Sequence, residues 1–172
     1  MNDPKIRLEE NVLDDPERLF HELRDGIHWD ESMAARKTAS FGRPYNYSQM
    51  SYPETPLPSQ LVPVVKTLNE LLGIAFNNCL LNYYETGKNT MGFHSDDTSQ
   101  LQPGTGVAIV SLGSARRITF RNKADRTHHV EVDLLPGSVL YMDDAVQGHW
   151  LHAIKKQPDA GPRISLTWRA FI

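Results

Sequence analysis

Residues 163–169 alternate as strictly as any seven residues in the chain: Arg163, Ser165, Thr167 and Arg169 fall on one face of an extended segment, and Ile164, Leu166 and Trp168 on the other. Neither face suits open water. The apolar face requires a core. Two arginines at fixed phase on the other face call for a polar cavity, and their planar guanidinium groups are shaped to grip a carboxylate with paired hydrogen bonds. The strand therefore lies between a core and an anion-binding cavity.

A second constraint comes from Phe93-His94-Ser95-Asp96-Asp97. If this stretch is extended, His94 and Asp96 aim an imidazole and a carboxylate at one point. Another histidine from a distant strand would complete a two-histidine, one-carboxylate face, a donor set that holds Fe(II) and leaves positions open for a co-substrate and O2. His149-Trp150-Leu151-His152 offers two candidates that face opposite ways on a strand. Spacing alone does not choose between them.

Together, Asn82-Tyr83-Tyr84, His94-Ser95-Asp96, the His149 to His152 tetrapeptide and the Arg163 to Arg169 run resemble the AlkB-like Fe(II)/2-oxoglutarate-dependent dioxygenases. Members of that family oxidatively remove alkyl groups from nucleic-acid bases. The resemblance covers about residues 36–172 and selects His152 as the third ligand. It implies that Arg163 and Tyr84 hold the distal carboxylate of 2-oxoglutarate, while Asn82 and Arg169 hold or support the end that chelates iron, with Ser165 between the arginines as a further co-substrate contact. Residues 36–58 resemble the family's nucleotide-recognition lid, with Arg36, Lys37, Tyr45 and Tyr47 as implied substrate contacts and Tyr47 nearest the stacking position. The implied reaction converts 2-oxoglutarate to succinate and releases the methyl group of N1-methyladenine or N3-methylcytosine as formaldehyde. Two positions depart from the family's pattern. Thr98 replaces an acidic residue that helps some members position the base, leaving base preference open, and Ser165 replaces an asparagine with a hydroxyl that still hydrogen-bonds.

The rest of the chain is consistent with one domain over 1–172. Asp15-Pro16 followed by Leu19, Phe20 and Leu23 predicts a short helix over 14–25. The apolar stripe from Leu61 to Leu72, closed by Gly73, predicts a second over 59–73. Thereafter short runs separated by Pro and Gly predict strands at 78–84, 107–112, 117–122, 128–135, 138–142, 148–154 and 163–171. The expected architecture is α+β and mainly β: a double-stranded β-helix, or jelly roll, over 78–172 with supporting N-terminal helices.

The net charge of −3 argues against nucleic acid until its distribution is read: residues 1–31 carry ten acidic and four basic side chains, so the remainder carries +3. Arg116, Arg117, Arg121, Lys123 and Arg126 form a local basic hairpin suited to phosphates. His128 and His129 in that hairpin are expected to face solvent. Lone Cys79 is expected in a buried strand, and no signal peptide or membrane span is evident, so a cytoplasmic monomer is expected. The expected partner is alkylated nucleic acid, single-stranded by preference, because only a half-dozen residues separate Trp29 from Arg36, where relatives acting on duplexes carry a wedge hairpin. The alternatives are a 2-oxoglutarate hydroxylase of a protein or small molecule, and a non-catalytic nucleic-acid-binding module. Tyr141-Met142-Asp143-Asp144 matches a polymerase Mg²⁺ motif, but a strand ending in a turn accounts for it in a chain this short.

Overall fold

A computed structural model describes residues 2–47 and 50–172, with the backbone alone for Tyr47 and Met50. The strands are β1 (Ile6–Glu9), β2 (Lys37–Gly42), β3 (Tyr45–Tyr47), β4 (Met50–Tyr52), β5 (Asn78–Tyr84), β6 (Met91–His94), β7 (Val107–Gly113), β8 (Arg116–Asn122), β9 (His129–Leu134), β10 (Val139–Met142), β11 (Trp150–Ile154) and β12 (Arg163–Arg169). The helices are α1 (Pro16–Gly26), α2 (Val62–Leu72) and α3 (Asp144–His149). A six-stranded sheet runs β1-β10-β7-β12-β5-β2, a four-stranded sheet runs β6-β11-β8-β9, and β3 and β4 form a separate ribbon. This is the jelly-roll architecture, with every strand pair antiparallel.

The larger sheet has two kinds of face because its strands alternate. Leu81, Tyr83, Leu112, Ile164, Leu166 and Trp168 share one buried cluster with Phe20 and Leu23 of α1 and Val64 and Leu68 of α2. Asp15 caps α1, its side chain accepting the backbone N–H of Arg18 at 3.1 Å. Gly73 ends α2 at φ 67°, a left-handed conformation in which a side chain would strain the backbone. The second cluster contains Tyr84, Ile109, Ile118, Phe120, Leu140, Trp150 and Ile154, so apolar side chains of both sheets meet between them. Arg163, Ser165, Thr167 and Arg169 belong to this inner face and all are buried.

Several boundaries differ from those expected. The predicted strand at 148–154 starts only at Trp150, because Asp143 accepts the N–H of Val146 at 3.0 Å and caps α3 instead. Residues 37–42, within the segment read as a recognition lid and absent from the predicted strands, are an edge strand paired with β5 from Lys37↔Tyr83 to Gly42↔Asn78. β1 lacks a strong apolar pattern and owes its position to pairing with β10. No helix among the described residues is long and apolar enough to cross a membrane.

Candidate metal and co-substrate site

β6 and β11 lie side by side, with His94 opposite His152. Their imidazole centroids are 4.4 Å apart. Asp96 lies just beyond the end of β6, with Oδ1 3.4 Å from His94 Nε2 and 3.9 Å from His152 Nε2. Donor atoms from the three residues all fall within 4.8 Å of one another, a set that one metal ion can bridge. His94 Nδ1 lies 2.8 Å from the Gly92 carbonyl, which can only accept, so the proton belongs on Nδ1 and the Nε2 lone pair faces the other donors. Exposed His149 stands outside this group.

Arg169 Nη2 donates to Asp96 Oδ2 at 2.9 Å, and both side chains are almost fully buried. Burial pushes the Asp96 carboxyl up, but the Arg169 guanidinium and the two histidines override it and hold the carboxyl well below its usual range. Burial depresses His152 to about 4, outweighing the opposing pull of Asp96, with His94 and Arg169 adding to the depression. Its imidazole is therefore neutral and available as a ligand near neutrality. The sign of the stability effect follows. Below about 6.5 the unfolded chain takes up a proton that folded His152 refuses, so the metal-free protein loses stability as pH falls from about 6.5 to about 4. At about 1.4 kcal/mol per pH unit the expected loss reaches ~3 kcal/mol. Chemical denaturation of chelator-treated protein at several pH values measures it, with His152→Gln expected to flatten that part of the profile.

The co-substrate half of the cleft is built on β12 and β5. Arg163 is 1% exposed; Nη2 donates to Ser111 Oγ at 3.0 Å, while Nε and Nη1 have no partner. A buried guanidinium with two unused donors is expensive unless an anion joins it. Its carbon sits 5.2 Å from the centroid of the Tyr84 ring. Ser165 is buried opposite Asn82 and Ser111. Asn82 lines the cleft beside His94, Asp96, His152 and Arg169, and its Oδ1 accepts from Arg36 Nε at 2.7 Å. The donors thus suit a divalent cation at one end of β12 and a carboxylate at the other. A divalent cation and a dianionic 2-oxo acid would enter together without adding net charge.

The other expected contacts are distributed unevenly. Arg36 is buried, bonded to Asn82 and, at 3.1 Å, to the Thr90 carbonyl. Lys37 points away from the cleft, because β2 alternates; it pairs with Glu31 at 2.8 Å and Glu85 at 3.3 Å and sits over Tyr83. Tyr45 stacks on Phe171 with centroids 5.4 Å apart and covers the Arg169 guanidinium at 4.6 Å. The Tyr47 side chain and Ser48 lie outside the described residues. Arg116 is a correction to the expected surface patch. It is buried, and its Nη2 donates to the carbonyls of Asn89 at 2.8 Å and Lys155 at 2.7 Å, bracing two loops. Arg121 is half-buried over Phe93, 4.1 Å from its centroid. His128, expected to face solvent, instead pairs with Asp3 at 2.8 Å and meets the edge of Trp150. Asp97 is an exposed turn residue that accepts from Ser99 N at 2.9 Å.

A jelly roll with this donor triad and a buried arginine at the far end of the same strand face defines the class of non-haem iron enzymes that consume a 2-oxo acid. Comparison with known proteins agrees. Residues 11–169 match the 2OG-Fe(II) oxygenase superfamily, and the chain belongs to it: a dioxygenase using Fe(II), 2-oxoglutarate and O2. It is 32% identical over 179 residues to the DNA oxidative demethylase ALKBH2 of Mus musculus, covering 91% of this chain and 75% of the relative. It is 31% identical over 176 residues to the alpha-ketoglutarate-dependent dioxygenase alkB homolog 3 of Homo sapiens, covering 94% of this chain and 59% of the relative. Thus the chain spans less than two thirds of some relatives' length. The solved structure of OsALKBH1 superposes with a TM-score of 0.65 at 18% identity, covering 98% of this chain and 99% of that one, a likeness of fold.

Proposed function

We propose that this protein oxidatively demethylates N-alkylated bases in DNA or RNA. The carrying observation is the convergence of the His94, Asp96 and His152 donors in one cleft with Arg169, while the buried Arg163, with donors to spare, lies on the same face of β12. Relatives named as DNA oxidative demethylases support the substrate class.

In this reading His94, Asp96 and His152 hold Fe(II). Arg163 receives the distal carboxylate of 2-oxoglutarate, with Tyr84 packed beside it. Asn82, Ser165 and Arg169 support the chelating end. Arg36 steadies Asn82, and Arg169 keeps Asp96 ionised. When bound, Fe(II) and 2-oxoglutarate would supply the O2-dependent hydroxylation of the substrate methyl group, with 2-oxoglutarate leaving as succinate and CO2. The resulting N-hydroxymethyl group loses formaldehyde and returns the N–H base. The chain's own part is to fix the donors, exclude water with the inner apolar cluster, and present the base at the β3–β4 ribbon, where Tyr47 is the stacking residue. Tyr52 anchors that ribbon through a 3.0 Å hydrogen bond to Asp30.

Formaldehyde release from oligonucleotides containing N1-methyladenine or N3-methylcytosine tests the assignment, with an Nε-methyllysine peptide as the competing substrate. Turnover of the peptide alone would sink it.

The protein acts as a monomer on single strands in preference to duplexes. Residues 30–38 turn back tightly, closed by paired backbone hydrogen bonds between Asp30 and Thr38, and Trp29 packs on Tyr83 at 5.3 Å. This arrangement favours packing over a projecting wedge. Without a wedge, flipping a base from a duplex carries an unstacking cost of a few kcal/mol, so the expected rate advantage for single strands is about tenfold or more at fixed salt. Equal rates on a stable duplex would refute the preference. On the single strand, Tyr47→Ala is expected to lower kcat/KM more than Tyr45→Ala, because Tyr45 is already engaged by Phe171 and Arg169.

A further inference from the structure

The β6–β11 ladder sets His94 opposite His152 and stops there, leaving Asp96 beyond the last paired residue. The carboxylate therefore needs another restraint. Arg169 supplies one, gripping Oδ2. A hold on one oxygen leaves the backbone beneath the side chain free to shift, so it does not alone direct Oδ1 between the histidines.

Gln147 supplies the second. It lies on α3 and is 2% exposed, an amide where a leucine would pack at lower cost. Its Oε1 accepts the backbone N–H of Asp96 at 2.7 Å; its Nε2 has only the Met142 sulfur, at 3.8 Å. Three residues later, at Trp150, α3 gives way to β11, which carries His152. The backbone of α3 is held in turn by Lys123, whose Nζ donates to the Gln147 carbonyl at 2.8 Å and whose N–H donates to the His149 carbonyl at 2.9 Å. One short helix thereby fixes the start of the His152 strand and the backbone of Asp96.

We infer that Gln147 is a positioning residue for the metal centre, holding the Asp96 backbone so that the carboxylate faces His94 and His152. This rests on the proposal that those three residues bind the metal. Outer groups that orient ligands characteristically change metal affinity by about 10–100-fold when removed.

The test is Co(II) titration of the metal-free full chain, followed by visible absorption and without co-substrate. Gln147→Met keeps the length and removes the acceptor; it should bind Co(II) on the order of tenfold more weakly and with an altered visible band. Gln147→Asn keeps the amide but falls a methylene short, and should behave like Met. Gln147→Glu retains an acceptor oxygen at the same reach and should stay within about threefold of wild type. A purely structural role would lower the unfolding temperature of Met and Asn while leaving Co(II) affinity and spectrum unchanged, and that result overturns the inference; if Met does not fold, Asn decides. His152→Ala separates the two claims. Wild-type Co(II) binding in that variant would overturn the metal assignment itself, and the positioning role with it; loss there, beside unchanged binding in Gln147→Asn, overturns the positioning role alone.

Discussion

His152→Ala is expected to reduce formaldehyde release to the level of a protein-free control, while His149→Ala should stay within about threefold of the unmodified protein. The contrast is large because the two residues have different surroundings. His152 is buried, neutral near pH 7, and its Nε2 converges with the Asp96 and His94 donors. In the proposed site, removing it deletes one of the three ligands and opens a further coordination position. His149 is exposed at the end of α3, where its side chain can be lost without disturbing the carbonyl that receives Lys123 N. Asp96→Ala should be equally inactive, but for two reasons at once. It removes the carboxylate partner of the buried Arg169 guanidinium, and breaking a buried pair this way costs about 3–5 kcal/mol of stability. Asp96→Asn retains an oxygen for Arg169 and should restore much of the stability without restoring turnover. Unfolding temperatures measured beside activity separate the two losses. An active His152→Ala and inactive His149→Ala would reassign the third ligand.

What was legible in advance follows from how local each determinant is. The alternation of 163–169 reports burial on both faces, and β12 is buried at every residue. The apolar stripe and Gly73 carry α2 to within a turn of its observed bounds. β1 and β2 are edge strands whose pairing partners are distant, and neither segment has a strong apolar period of its own. The same missed strand misdirected Lys37: once 37–42 pairs with β5, its alternation fixes Lys37 beside Tyr83 on the helix-covered side. Arg116 looked like one member of a surface run, since carbonyls of Asn89 and Lys155 that satisfy it are invisible in sequence. Gln147 was missed for a related reason. Its partner is a backbone N–H 51 residues away, which no side-chain motif records; an amide among Val146, Met142 and Trp150 was the available hint.

Arg163→Met should separate binding from stability with opposite signs. In the ligand-free protein the buried guanidinium is only partly satisfied, by Ser111 and the Tyr84 ring, so an apolar side chain of similar reach removes an incompletely paired charge. Replacing such a group by a well-packed apolar one is often neutral or stabilising. The unfolding temperature without co-substrate should therefore hold or rise. With 2-oxoglutarate present the balance reverses: charge-assisted hydrogen bonds contribute about 1.5–3 kcal/mol each, so loss of the grip should weaken apparent affinity on the order of a hundredfold. Arg163→Lys should fall between, because an ammonium keeps the charge and loses the planar two-point geometry. The decisive measurement is the shift in unfolding temperature on adding 2-oxoglutarate with Mn(II), since a ligand stabilises only the state that binds it. The unmodified protein should show a clear upward shift and Arg163→Met almost none from a baseline at least as high. A full shift in the Met variant would remove Arg163 from the carboxylate site, and a collapsed baseline would show that its buried charge is satisfied within the fold itself.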